Sequence, residues 1–129
     1  MTTPVRVLRT LDASPADLFD VWVSSETLVD PVTALEMDAV VGGVLRVSTG
    51  AGLTSDLWGR FLTVERPTRL RYTWRWGGFD EESIVEVLFH DLEDVTVVEV
   101  NHAGFLDDTS RRNNLEGWVR YLDSLPAFL

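Results

Sequence analysis

Asn113-Asn114-Leu115-Glu116-Gly117-Trp118-Val119-Arg120-Tyr121-Leu122-Asp123-Ser124-Leu125 is the stretch that decides the fold. Leu115, Trp118, Val119, Leu122 and Leu125 recur at steps of 3, 1, 3 and 3, which is one face of a 3.6-residue period. Glu116, Arg120 and Asp123 fall on the other face. This predicts an amphipathic helix near the C-terminus. Asp107-Asp108-Thr109-Ser110 just before it is acidic and rich in capping residues, as a helix start should be. The segments before it read as strands with one apolar face, and such strands need a cover. The helix supplies the cover, and the space beneath it is where a ligand is expected.

Working outward, Arg69 to Trp76 has the clearest two-residue alternation. Leu70, Tyr72, Trp74 and Trp76 share one face, and Arg69, Arg71, Thr73 and Arg75 the other. Arg66-Pro67-Thr68 separates it from a strand over about Asp56 to Glu65, and Gly77-Gly78 ends it. Glu82 to His90 and Val95 to His102 follow as two more strands, joined by Leu92-Glu93-Asp94. Glu36 to Val40 and Val44 to Ser48 flank Gly42-Gly43, which predicts a tight hairpin. Thr49-Gly50-Ala51-Gly52 is a loop. Before these, Val5 to Leu11 is a strand. Ser14 caps a helix with Pro15 at its first position and Asp17 at the capping-box spacing, and Leu18, Phe19 and Trp22 lie on one side. Ser24-Ser25-Glu26 predicts a second short helix to about Val29, ended by Asp30-Pro31.

The order is one strand, two short helices, about six sequential strands and one long helix. Hairpin-length turns make the sheet antiparallel. Strands grouped together with helices at the ends indicate an α+β class. At 129 residues the chain is read as one domain, 1–129, with a single core. It contains no 18-residue apolar run and no apolar signal core at Met1-Thr2-Thr3-Pro4-Val5-Arg6. Cysteine is absent, which excludes disulfides, thiol nucleophiles and thiolate metal sites. These features point to the cytoplasm. A net charge of −10 disfavours nucleic acid and anionic membranes as partners.

Four sets of residues then match a known pattern. They are Asp12-Ala13-Ser14-Pro15 before the first helix, Met37 to Gly43 at the hairpin, and Gly59 with Val64 to Leu70, Tyr72 and Trp74. The fourth set is Thr96 to Phe105 together with Gly117-Trp118. In these the chain resembles the family related to the C-terminal domain of the activator of the Hsp90 ATPase. That family belongs to the START-like, helix-grip superfamily (SRPBCC). The resemblance implies an α+β helix-grip fold: a curved antiparallel sheet of six to seven strands around a long C-terminal helix, with a cavity between them. It implies much less about activity, because the superfamily hosts binding proteins, cyclases and partner-binding domains on one scaffold. One departure is Leu28-Val29-Asp30-Pro31-Val32, which stands without an aromatic where the family has a tryptophan-rich segment.

The expected function is binding of a small apolar or amphipathic molecule in that cavity. The candidate ligand-binding residues are Trp22, Tyr72, Trp74, Trp76, His102, Trp118 and Leu122. Three large aromatics on one strand are more than a packed layer usually needs, although they could simply pack on Trp118 and Leu122. His102 shares a face with Val98 and Val100 and should point inward, where it could orient a ligand, act as a base, or bond a neighbouring group. His90 shares a face with Glu86 and Leu88 and is expected to be exposed. Two histidines on different faces build no metal site, and no HExxH or G-x-S-x-G spacing occurs. No cofactor and no catalytic residue is therefore assigned. Glu36 or Asp38 is expected to pair with Arg46 across the hairpin. Arg69, Arg71 and Arg75 are expected on the solvated face near Glu86 and Glu99. Two alternatives stay open: a co-chaperone-type module acting on an Hsp90-like ATPase, and a cyclase or dehydratase using the cavity. The first strand, if at a sheet edge, could pair between chains, which leaves a homodimer open.

Overall fold

The computed structural model describes residues 2–50, 56–77 and 80–129. Gly78 of the Gly77-Gly78 turn and Ala51-Gly52 of the predicted loop lie outside the described residues. Among the described residues there are seven strands: β1 (Val5–Leu11), β2 (Ala34–Met37), β3 (Val44–Ser48), β4 (Leu57–Glu65), β5 (Arg69–Trp76), β6 (Ser83–Asp91) and β7 (Thr96–Ala103). They form one antiparallel, curved sheet in the order β1-β7-β6-β5-β4-β3-β2. Every neighbour except the β1–β7 pair is also next in sequence, as hairpin-length turns require. The register of β4 on β5 shifts between Phe61 and Thr63, where a bulge bends the sheet. β1 lies at one edge, paired with β7 from Val5↔His102 to Leu11↔Thr96.

Two helices cover the inner face. Helix α1 (Pro15–Trp22) starts where predicted: Ser14 Oγ accepts from the Asp17 N–H at 3.1 Å, and Leu18, Phe19 and Trp22 are buried. Helix α2 (Asp108–Ser124) is capped by Asp107, whose carboxylate accepts from the Ser110 N–H at 2.8 Å. A 3₁₀ turn over Leu125–Phe128 continues it. Trp118, Leu122 and Leu125 are buried against the sheet, with Leu115 and Val119 partly so. The core runs along the inward positions of the strands, including Val5, Val7, Leu45, Phe61, Leu70, Val85, Val87, Val98 and Val100. Among the described residues, no helix is long and apolar enough to cross a membrane.

Three expectations are corrected. No second helix follows α1. Ser24 Oγ accepts from the Glu26 N–H, and Thr27 Oγ1 donates back to the Val21 carbonyl at 2.6 Å. These side chains satisfy the local backbone as turns and so compete with helix. The segment to Val32 then descends as irregular chain toward the sheet. Second, β2 ends at Met37 rather than Val40. The Val40 N–H bonds Asp38 O and the Gly43 N–H bonds Val40 O, so the connection is wider than a two-residue turn. Gly42 holds φ +84°, and a Cβ at Gly43 would strike the Asp38 carbonyl, so both positions need glycine. Third, Arg46 faces Glu36 in register, but its guanidinium donates to Asp56 at 3.0 Å and lies over the Trp58 ring at 4.6 Å. Asp56 is largely buried, so it offers a drier and stronger acceptor than the exposed Glu36.

The outer face is as expected for arginine. Arg69 donates to Glu86 at 2.8 Å and Arg6 to Glu99 at 3.0 Å. His90 is exposed and its Nε2 lies 2.8 Å from Glu99 Oε1. Asn101, His90 and Arg6 together hold the Glu99 carboxyl down to about 2.

Candidate functional site

Between α2 and strands β2, β3 and β5 lies a cavity of about 280 Å³. The sheet contributes Leu35 and Met37 from β2, Leu45 and Val47 from β3, and Tyr72, Trp74 and Trp76 from β5. Strand alternation puts the three β5 aromatics on the inner side, two residues apart. Helix α2 contributes Asn113, Asn114, Gly117, Trp118, Arg120 and Tyr121. Trp22 comes from the end of α1, and Thr27 with Val29 to Val32 from the irregular segment after it. That segment, which carries no aromatic, forms a side wall.

Aromatic rings dominate the wall. Trp22 stacks on Trp118 at 6.0 Å between centroids with 13° between planes. Tyr121 meets Trp22 edge-on at 4.8 Å, and Trp74 lies 5.1 Å from Trp118. Polar atoms are few and specifically placed. Trp22 Nε1 donates to the Tyr72 hydroxyl at 3.2 Å. Trp74 Nε1 donates to Asn114 Oδ1 at 3.1 Å, and Asn114 Nδ2 donates to the Ser110 carbonyl. Burial pushes the pKa of Tyr72 and Tyr121 upward, so both phenols remain protonated. Asp30 and Arg120, the charged residues of the wall, are exposed and therefore stand at its solvent side.

Five of the seven sequence candidates, Trp22, Tyr72, Trp74, Trp76 and Trp118, come together at this cavity. His102 and Leu122 do not line it. Leu122 points one turn past Trp118 into the core and is fully buried. His102 lies behind the Trp74 and Trp118 rings, also with no exposed surface. Trp118 Nε1 is a donor only, so its 2.9 Å bond to His102 Nδ1 fixes that nitrogen as acceptor. The imidazole hydrogen then sits on Nε2 and donates to Ser83 Oγ at 2.7 Å, which in turn donates to the Trp74 carbonyl. Burial lowers the His102 pKa from 6.5 to about 3. Both ring nitrogens are engaged and the ring is neutral. Its place is to fix the two tryptophans that form the wall, not to meet a molecule in the cavity.

The reading from sequence did not select Asn114, Gly117 or Tyr121. The signal was present, because residues 114, 117, 118 and 121 share one helical face. The side wall from Thr27 to Val32 had no such signal, since irregular chain carries no period.

Residues 12–129 match the family described as activator of Hsp90 ATPase homolog 1-like protein. No curated protein matches the chain. Several solved structures share its fold. A protein of Mesorhizobium loti is 19% identical with a TM-score of 0.85, over 95% of this chain and 93% of that one. An HSP90 activator from Plasmodium falciparum is 18% identical with a TM-score of 0.83, over 98% and 96%. The Aha1 dimer from Colwellia psychrerythraea is 13% identical with a TM-score of 0.78, over 96% and 93%.

Proposed function

Since the chain belongs to the activator of Hsp90 ATPase homolog 1-like family, a scaffold that supports more than one kind of work, we propose from its own cavity that it binds a small, mostly apolar molecule. The supporting observation is 280 Å³ of space walled by aromatic and aliphatic side chains beside the buried core. Packed cores rarely leave voids much larger than a water molecule, because each unfilled volume forfeits dispersion contacts. A space of this size, lined by six aromatic residues and a few placed polar groups, is what ligand pockets look like. Trp22, Tyr72, Trp74, Trp76 and Trp118 supply the burial, and His102 and Leu122 support that wall from behind. The site of action is taken to be the cytoplasm.

Native mass spectrometry of the protein purified from its own host tests this reading. A co-purifying small molecule released on mild denaturation is the expected result. A bare mass, together with no saturable binding of any apolar probe, would refute it.

The family and the likeness to the Plasmodium falciparum activator favour a second reading, docking on an Hsp90-type ATPase. That work would fall on the outer sheet face, where Arg60, Arg71 and Arg75 from β4 and β5 gather on a chain of net charge −10. Stimulation of the host chaperone's ATPase by the purified protein would support it. The likeness to a dimeric relative favours self-association as a further reading, for which the β1 edge is one candidate surface. A cyclase or dehydratase needs an acid–base pair facing the cavity, and His102, with both nitrogens engaged, does not provide it.

A further inference from the structure

The polar groups of the cavity are unevenly matched. Trp22 Nε1 can only donate, so the Tyr72 hydroxyl must accept that bond, and its own hydrogen is left to point elsewhere. The Tyr121 hydroxyl makes no hydrogen bond among the described residues. It is not sealed in the interior either, because the one fully buried side-chain polar atom without a partner among them is Arg46 Nε. Tyr121 lines the cavity, and its hydroxyl interacts electrostatically with that of Tyr72 across it, so we take its open side to be the cavity. The acceptor that α2 extends into the wall, Asn114 Oδ1, is already occupied by Trp74 Nε1. The wall thus offers two spare phenolic donors, while the Asn114 oxygen is engaged by Trp74. Its charged residues, Asp30 and Arg120, stand only at the solvent side.

We infer that the ligand is an uncharged, compact apolar molecule carrying a carbonyl oxygen, which accepts hydrogen bonds from the hydroxyls of Tyr121 and Tyr72 while its hydrocarbon body lies among Trp22, Trp74, Trp76 and Trp118. This rests on the cavity-binding reading and narrows it. A carbonyl has two lone pairs and so can serve both donors. A carboxylate is disfavoured, because no cation stands within the aromatic part of the wall to offset its desolvation. An alcohol or amine brings a hydrogen of its own; a phenol oxygen can accept it, but only by turning that phenol's hydrogen away from the ligand, so one hydrogen stays unmatched. The raised pKa of both tyrosines keeps them donors throughout the physiological range. The volume lies at the lower end of the usual range for small-molecule sites, which limits the body to about two fused rings.

The test uses three probes of one shape: 2-acetylnaphthalene, 2-isopropenylnaphthalene and 2-naphthoate, with affinities from isothermal titration calorimetry. Comparing probes directly would mix in their different hydration, so the readout is the change on removing a hydroxyl. Tyr121→Phe should weaken the ketone about tenfold, one hydrogen bond, and change the hydrocarbon by less than about twofold. Tyr72→Phe should do likewise, although it also removes the acceptor of Trp22 Nε1. Thermal unfolding of both variants checks that they fold, and Tyr121→Phe should, since its hydroxyl has no partner to lose. Equal effects on ketone and hydrocarbon, or naphthoate binding as tightly as the ketone, would overturn the inference and leave cavity binding standing. No binding of any probe to the unaltered protein would overturn both.

Discussion

Replacing Gly117 by alanine should stabilise this protein, and replacing it by phenylalanine should block the cavity. Gly117 sits in the middle of α2, where glycine is the costliest ordinary residue because it loses the most backbone freedom on folding. A helix retains such a residue when a side chain would collide with something. Here a Cβ would meet nothing within 4 Å. The position faces the cavity beside Trp118, so what the glycine preserves is open space. Alanine should then gain about 0.5–1 kcal/mol, the usual helix-interior difference. For a chain of 129 residues that is a rise of roughly 2–4 °C in Tm, read by circular dichroism. Phenylalanine should reach across the space and cut the affinity of an apolar probe such as 2-acetylnaphthalene at least about tenfold, measured by calorimetry, with Tm kept within a few degrees. A fall in Tm for Gly117→Ala would show that the glycine is there for close packing. Unchanged probe affinity in folded Gly117→Phe would show that binding occurs elsewhere.

Acid should weaken the fold through His102. The unfolded chain takes up this proton near pH 6.5 and the folded chain only near 3, so stability is indifferent to it above 6.5 and falls as pH drops through that window. Between pH 7.5 and 5.0 the loss attributable to His102 is about 2 kcal/mol in urea unfolding, and His102→Gln should abolish most of that slope. A slope identical in the variant would mean that the ring takes up its proton equally in the folded and unfolded chain. Glu99, held down to about 2, extends the acid branch: its contribution is present above 4.5 and lost as pH falls toward 2. Gly59→Ala should destabilise, in contrast to Gly117, by about 1–3 kcal/mol in the same assay, because its Cβ would strike the Thr73 carbonyl on β5. A neutral outcome there would mean that β4 and β5 can separate locally at no cost.

Much of the cavity was legible in the sequence because two periods expose it. The two-residue alternation of β5 placed Tyr72, Trp74 and Trp76 on one face, and the 3.6-residue period of α2 aimed Trp118 at them. Trp22 followed from the capped helix α1. The same logic placed His102 on the inward face correctly, yet could not tell a residue facing the cavity from one behind its wall. Inward is one direction for a strand but several depths in a curved sheet. Leu122 illustrates this for the helix: it lies one turn beyond Trp118 on the same stripe, and that turn carries it from the wall into solid core.

The second helix failed for a local reason. Ser24 and Thr27 carry the composition of a cap, but their side chains bond nearby backbone in turns, and propensity does not decide between these outcomes. Arg46 failed for a non-local one. Its cross-strand neighbour Glu36 was readable from the hairpin, whereas Asp56 comes from beyond the next loop and wins because it is the more buried acceptor.

The sequence by itself determined the class of fold, the order of the strands, the caps of both helices and the aromatic face, since these depend on short-range periodicity and on chemistry within a few residues. Only the tertiary structure decided which inward residues border empty space, which hydroxyl hydrogens are spare and which imidazole is sealed. Those properties arise where segments far apart in the chain meet, and no period within any one segment records them.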